Sequence, residues 1–118
     1  MSDWAARLAG ARAVAERELA AQLGSDTLCR IHTDGRVTGG AKYAEGRLVA
    51  LADLQRRLRG TEAGDPVAVW ASELRRWADD LVRLRGQERP ALPWLAYRQG
   101  GVDALEEFAP MSAAPGAA

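Results

Sequence analysis

A long apolar stripe follows Asp65 and Pro66 and recurs at alternating steps of three and four residues. This spacing places the stripe on one face of an α-helix, because a helical turn takes 3.6 residues. Aspartate is a favoured N-cap and proline fits the first turn, so the sequence predicts a helix that begins at Pro66. Gly86 predicts its end near Arg85. The stripe consists of Val67, Trp70, Leu74, Trp77, Leu81 and Leu84.

Two further helices are predicted upstream. The first spans about residues 3–23, with Ser2 or Asp3 as the cap and Gly24 as the stop. The second spans about residues 41–59 and ends at Gly60. Leucines and alanines cover a broad side of this second helix, which predicts a central position in the bundle.

Between these two helices the sequence predicts a small β-hairpin over about residues 27–38. The residues from Thr27 to His32 alternate in character, and Thr33, Asp34 and Gly35 have the chemistry of a tight turn. Two strands by themselves are marginally stable in water, so we expect the hairpin to lean on the helices.

The sequence after Gly86 is interrupted by Pro90, Pro93 and a glycine pair at 100–101, and its helical pattern is weak. We therefore predict a C-terminal strap with short helical turns. Residues 109–118 offer little apolar surface to offset the entropy of ordering, so a disordered tail is expected there. The predicted fold class is mainly α: a compact, single three-helix domain over residues 1–108, with the hairpin inserted between helices 1 and 2.

Composition excludes several kinds of protein. A single cysteine, Cys29, forms no internal disulfide, and one histidine leaves too few ligands for a structural zinc site. Sixteen basic and sixteen acidic residues give zero net charge, so no overall field attracts nucleic acid or an anionic membrane. No run approaches the ~20 apolar residues of a membrane-spanning helix, and the first residues lack a signal-peptide core. We expect a cytoplasmic protein that binds no membrane, metal or cofactor.

Cys29 and His32 have the chemistry of a nucleophile and a base. On a strand, residues an odd number apart point to opposite faces, so the two side chains would not meet. Asp34, which would orient the base, belongs to the predicted turn. A structural role for Cys29 is therefore favoured, and a small enzyme that uses Cys29 and His32 is kept as one of two alternative functions.

Gly39, Gly40 and Lys42 stand at the start of the predicted second helix, where backbone N–H groups and the helix dipole attract anions. The segment lacks the spacing of a phosphate-binding loop. A glycine turn after the hairpin explains the same residues, and anion binding by this segment stays an open question.

Basic residues concentrate between positions 36 and 60 and make nucleic acid an alternative partner. A helical projection interleaves them with Glu45 and Asp53, and mixed charge of this kind is common on a solvated face. The alternative function is an arginine-dependent nucleic-acid-binding regulator that uses Arg36, Lys42, Arg56, Arg57 and Arg59.

The aromatic and apolar residues favour a protein-interaction role over catalysis. We expect the stripe to pack in the core, with a seam shared between two subunits as the alternative, because paired helices use the same spacing. The segment 93–97 is either a docking peptide or a strap that seals the bundle. We predict a non-enzymatic interaction, assembly or regulatory module that binds another protein or a second copy of itself as a homodimer. The candidate contact residues are Trp70, Leu74, Trp77, Leu81, Trp94 and Tyr97.

Overall fold

The computed structural model describes residues 2–24, 40–60 and 65–109. These residues form four α-helices and no strand. The first three helices begin and end within one residue of their predicted bounds. The helices are α1 (Ser2–Leu23), α2 (Gly40–Gly60), α3 (Pro66–Arg85) and α4 (Leu92–Glu107).

The prediction of three helices, a hairpin and a strap is wrong, because the expected strap is a regular helix of 16 residues. Pro93 lies in the first turn of α4, where a missing N–H breaks no helical hydrogen bond. Gly100 and Gly101 lie inside α4 and are buried. The region assigned to the hairpin, residues 27–38, and all of the predicted tail except Ala109 lie outside the described residues.

The third helix is capped by the residues that its sequence indicates. Asp65 is the N-cap of α3, and its Oδ1 accepts a hydrogen bond from the backbone N–H of Val67 at 3.1 Å. At the other end, the backbone N–H of Gly86 donates to the carbonyl oxygen of Val82 at 3.1 Å. These bonds pair backbone groups that a helix end otherwise leaves unsatisfied.

Helix α2 lies at the centre and packs against each of the other three helices, most extensively against α4. Helix α1 packs chiefly on α2, and α3 packs chiefly on α4. The core between them is apolar except for one carboxylate from α3. Its largest fully buried side chains are Leu8, Leu54, Leu105 and Glu73, one from each helix.

The helices α2 and α4 cross at two glycines, where their backbones touch. A Cβ at Gly46 would lie 1.9 Å from the carbonyl oxygen of Tyr97, and a Cβ at Gly100 would lie 2.1 Å from that of Tyr43. Both distances are far inside van der Waals contact, so this crossing requires glycine at both positions. Buried alanines stand one turn away from these glycines: Ala50, Ala96 and Ala104.

Candidate interaction surface around Trp94

Three aromatic rings from α3 and α4 meet at one corner of the fold. The ring centroids of Trp77 and Tyr97 lie 5.4 Å apart with the planes tilted by 42°. Those of Trp94 and Tyr97 lie 5.4 Å apart with the planes nearly perpendicular, at 83°. Both arrangements are favourable for ring quadrupoles. These three residues are named the aromatic cluster.

The rings of the aromatic cluster differ in their exposure to solvent. Trp77 is 3% exposed, and its indole lies against Gly101, where a Cβ would be 2.3 Å from the indole Cε3. Tyr97 is half-buried, and this burial raises the pKa of its phenol. Trp94 is 49% exposed and is the most exposed of the four tryptophans.

Two cations lie over the faces of the aromatic cluster. The Nζ of Lys42 is 4.7 Å from the ring centroid of Trp94 and 6.0 Å from that of Tyr97. The guanidinium carbon of Arg98 is 4.7 Å from the ring centroid of Trp77 and 5.4 Å from that of Tyr97. Contacts of this kind contribute about 0.5–1 kcal/mol each at exposed sites. Together with the edge contact to Tyr97, the Lys42 contact therefore favours this orientation of the Trp94 ring.

A pocket of about 160 Å³ lies beside Trp94. Inside it, Asp80 stands between two arginines: one of its oxygens pairs with Arg83, and the other is 3.3 Å from Nη1 of Arg98. The side chain of Arg83 is 71% exposed and that of Arg98 is 30% exposed. One carboxylate faces two guanidinium groups, so the pocket carries one excess positive charge. This Trp94 pocket is lined by Asp80, Arg83, Leu84, Trp94 and Arg98.

The predicted α3 seam lies against the rest of its own chain. Trp77 and Leu81 are buried, while Trp70 and Leu74 are half-buried against the core. The indole N–H of Trp70 donates to the carbonyl oxygen of Leu105 at 2.7 Å, which satisfies a carbonyl in the last turn of α4. Of the six predicted contact residues, the structure brings Trp77, Trp94 and Tyr97 into one cluster and leaves Trp94 the most exposed.

The described members of the predicted nucleic-acid set do not form one continuous surface. Lys42 lies near the start of α2 and the three arginines near its end, about 21 Å further along the axis. Arg36 lies outside the described residues, and Arg59 is exposed. The other three cations each pair with a carboxylate: Lys42 with Glu45 at 3.0 Å, Arg56 with Asp53 at 2.8 Å, and Arg57 with Glu73.

Sequence reasoning did not single out the buried carboxylate of Glu73, which is 1% exposed. Arg57 of α2 pairs with one of its oxygens, and Nη2 of Arg76 lies 3.1 Å from the other. A buried carboxylate requires such partners because removing its charge from water is costly. Its position one turn before Trp77, on the same helix face, is the sequence signal for its burial.

A hydrogen-bonded chain of side chains links α2, α3 and α4. The hydroxyl of Tyr43 donates to Oδ2 of Asp103 at 2.6 Å, and Nε2 of Gln99 donates to Oδ1 of the same carboxylate at 2.8 Å. Nη2 of Arg85 in turn donates to Oε1 of Gln99 at 2.6 Å. Desolvation, together with the bond to Asp103, raises the pKa of Tyr43. These groups satisfy one another, so the chain stabilises the packing of the helices.

A larger cavity of about 380 Å³ lies between α1 and α4. Arg47 spans one end: its Nη2 lies 2.6 Å from Oε1 of Glu107 and its Nε lies 3.7 Å from Oε1 of Glu18. The hydrogen bonds that Arg47 donates to Glu107 raise the pKa of Arg47 further above its already basic value. Near the other end, Arg7 donates to the carbonyl oxygen of Ala109 at 3.2 Å. Two cations and two carboxylates line this cavity, so its charges balance.

The residues of the catalytic alternative are outside the part of the chain that the structure describes, namely Cys29, His32 and Asp34, and so is Gly39. Within residues 2–24, 40–60 and 65–109, no group of three His, Cys, Asp or Glu side chains is placed to hold a metal ion. Within the same ranges, no helix has the length and apolarity needed to cross a membrane.

No protein-family model matches the chain, and comparisons with curated proteins and with solved structures found no match.

Proposed function

We propose that the protein is a non-enzymatic interaction module that contacts another protein through Trp94 and the pocket beside it. One observation carries this proposal: Trp94 is 49% exposed, yet its ring contacts both Lys42, at 4.7 Å, and Tyr97, at 5.4 Å. A rigid aromatic ring buries a large area on binding and loses little conformational entropy. Tryptophan is for this reason enriched among the residues that dominate interface energies.

The packing around Trp94 supports a role outside the core. Leu95 and Ala96, the next two residues, are buried, so α4 already faces the core at this point without the help of Trp94. Trp77 and Tyr97 fill the space between α3 and α4. The exposed face of Trp94 therefore adds little to the core and is available to a partner.

A second copy of the chain is one partner that this proposal includes. The contact would involve Trp94 rather than the α3 seam, because Trp77 and Leu81 are already buried inside the chain. A seam shared between subunits would require α3 to move away from α4, and that movement would expose both side chains.

Site-specific photo-cross-linking tests the proposal. A photoreactive amino acid replaces Leu92, which is 41% exposed and lies two residues before Trp94. The matched control places it at Val14, which is 43% exposed and lines the cavity between α1 and α4. We expect a defined cross-linked partner from position 92 that position 14 does not give, and we expect its loss when Trp94→Ala is added.

The mass of the cross-linked product identifies the partner as a second copy or as another protein. An equal yield of the cross-linked product from positions 92 and 14 would contradict an interaction at Trp94. So would a yield from position 92 that Trp94→Ala does not reduce.

A further inference from the structure

We infer that the Trp94 pocket binds an acidic protein segment in which a carboxylate lies beside an aliphatic side chain. This inference rests on the proposed function and specifies its partner. Two features of the molecule meet at this pocket: cations outnumber carboxylates, and an exposed apolar ring lies next to them.

The charge of the partner follows from the arrangement around Asp80. Arg83 contacts one oxygen of Asp80, and Arg98 lies 3.3 Å from the other. Neither guanidinium therefore binds this carboxylate in a bidentate manner. Each guanidinium has five N–H donors in a fork that matches a carboxylate. A carboxylate from a partner can therefore bind both arginines beside Asp80 and neutralise the excess positive charge.

The apolar part of the partner follows from the remaining lining of the pocket. Leu84 and the exposed ring of Trp94 border the two arginines. The volume of about 160 Å³ is below the range of typical small-molecule sites, about 300–1,000 Å³, and suits one side chain of a peptide. An aliphatic residue next to the carboxylate would cover Trp94 and exclude water from the ion pair, which strengthens it.

A strand of nucleic acid fits the same surface less well. Binding to single strands needs a basic track that follows successive phosphates. Here the two arginines lie together at one point, around Asp80, and Lys42 pairs with Glu45 at 3.0 Å, so these cations form a single site rather than a track. Lys42 also covers part of the Trp94 ring, at 4.7 Å from its centroid, where a base would stack.

Fluorescence anisotropy with defined probes tests this inference on the full chain. The acidic probe is a labelled peptide, Glu-Glu-Leu-Glu-Glu, and the comparison probes are Glu-Glu-Gly-Glu-Glu, Lys-Lys-Leu-Lys-Lys and a labelled oligothymidylate. We expect the first probe to bind more tightly than the other three. We also expect its binding to weaken as salt is added, because the ion pairs are partly exposed.

Three variants locate the binding, each checked for folding by circular dichroism. Trp94→Ala is expected to weaken binding of the acidic probe by about tenfold or more, as loss of an aromatic anchor does. Arg83→Glu is expected to weaken it by about fivefold, since it reverses an exposed charge at the pocket. Arg75→Glu makes the same change of charge at an exposed position of α3 outside the pocket, and it should alter binding by less than about twofold.

Several results would overturn the inference. They are absence of acidic-probe binding at millimolar concentration, equal weakening by Arg75→Glu and Arg83→Glu, and tighter binding of the oligothymidylate. If position 92 still cross-links a partner while the acidic probe does not bind, the interaction proposal stands and the acidic partner is wrong. If the acidic probe binds with unchanged affinity to Trp94→Ala, it does not bind at the Trp94 pocket and the acidic partner is wrong, while the cross-linking from position 92 decides the interaction proposal.

Discussion

Trp77 and Trp94 belong to one aromatic cluster, yet they lie in opposite environments. Trp77 comes from the middle of α3, is 3% exposed, and lies against Gly101 so closely that a Cβ there would be 2.3 Å away. Trp94 comes from the first turn of α4, is 49% exposed, and has Lys42 over its ring. The packing of α4 accounts for the difference. Gly101 leaves room for the indole of Trp77 in the core, whereas near Trp94 the buried residues of α4 are its neighbours Leu95 and Ala96.

The largest expected effect is on the buried side of this comparison. Trp77→Ala should lower the free energy of unfolding by about 3–5 kcal/mol, because it leaves a cavity between α3 and α4. Urea denaturation followed by circular dichroism measures the change. A loss below about 1 kcal/mol would mean that the indole is not part of the core.

Glycines show a similar contrast between the α2–α4 crossing and the outer helix α1. Gly46→Ala should lower the free energy of unfolding by about 2–3 kcal/mol. Its Cβ would be 1.9 Å from the carbonyl oxygen of Tyr97, so the backbones of α2 and α4 would have to separate. Gly10→Ala is the matched control: nothing lies within 4 Å of its Cβ, so helix propensity should stabilise the protein by about 0.5–1 kcal/mol. The same denaturation experiment should give opposite signs for the two substitutions, and equal signs would contradict the close crossing.

Tyr43 offers a smaller effect with a defined dependence on pH. Its pKa is raised in the folded protein, so the folded state holds the phenolic proton more tightly than the unfolded state does. The resulting stabilisation is complete below the usual tyrosine pKa of about 10 and falls as the pH rises above it. Tyr43→Phe should cost about 1 kcal/mol at neutral pH through loss of the bond to Asp103.

The pH dependence separates Tyr43 from the other groups that titrate in base. The free energy of unfolding of both proteins is measured between neutral pH and pH values above about 10. It should decrease less in Tyr43→Phe, because the Tyr43 phenol is absent, and the remaining decrease comes from Tyr97 and the other groups that titrate in base. Parallel decreases in the two proteins would show that the Tyr43 pKa is not raised.

The smallest effect on stability is expected on the exposed side of the comparison. Trp94→Ala should lower the free energy of unfolding by about 0.5–1 kcal/mol, mainly through the lost contacts with Lys42 and Tyr97. Thermal or urea denaturation beside Trp77→Ala gives the comparison directly. A cost equal to that of Trp77→Ala would remove the distinction between the two tryptophans.

The sequence predicted α3 well because its local signals agree with its surroundings. The cap at Asp65, the proline after it and the stop at Gly86 are local, and the stripe around Trp77 faces the core as its spacing indicates. Burial of Glu73 was not predicted although its position on the same face indicates it, because Arg57, one of the cations that balance its charge, comes from another helix.

The sequence did not predict the fourth helix, because its local sequence signals indicate breaks in the chain whereas its contacts with the other helices favour a helix. Pro93 and the glycines at 100–101 are typical breaks, but in the fold the proline occupies the first turn and the glycines admit α2 and Trp77. Small residues stand at positions 96, 100 and 104, four residues apart and therefore on one helix face. This spacing is the sequence feature that indicates a close helix crossing. Whether Trp77 or Trp94 is buried depends on such contacts between helices, and helical spacing alone does not reveal it.

The indole N–H resonances of the four tryptophans offer the most direct test of the role of Trp94. They can be followed by two-dimensional ¹H–¹⁵N NMR as the Glu-Glu-Leu-Glu-Glu peptide is added, with assignment by Trp94→Phe. We expect a large, saturable shift of the Trp94 resonance and smaller changes at the other three, which include the more buried Trp70 and Trp77. A larger shift at any of the other three resonances, or no shift of Trp94 at saturating peptide, would contradict binding at Trp94.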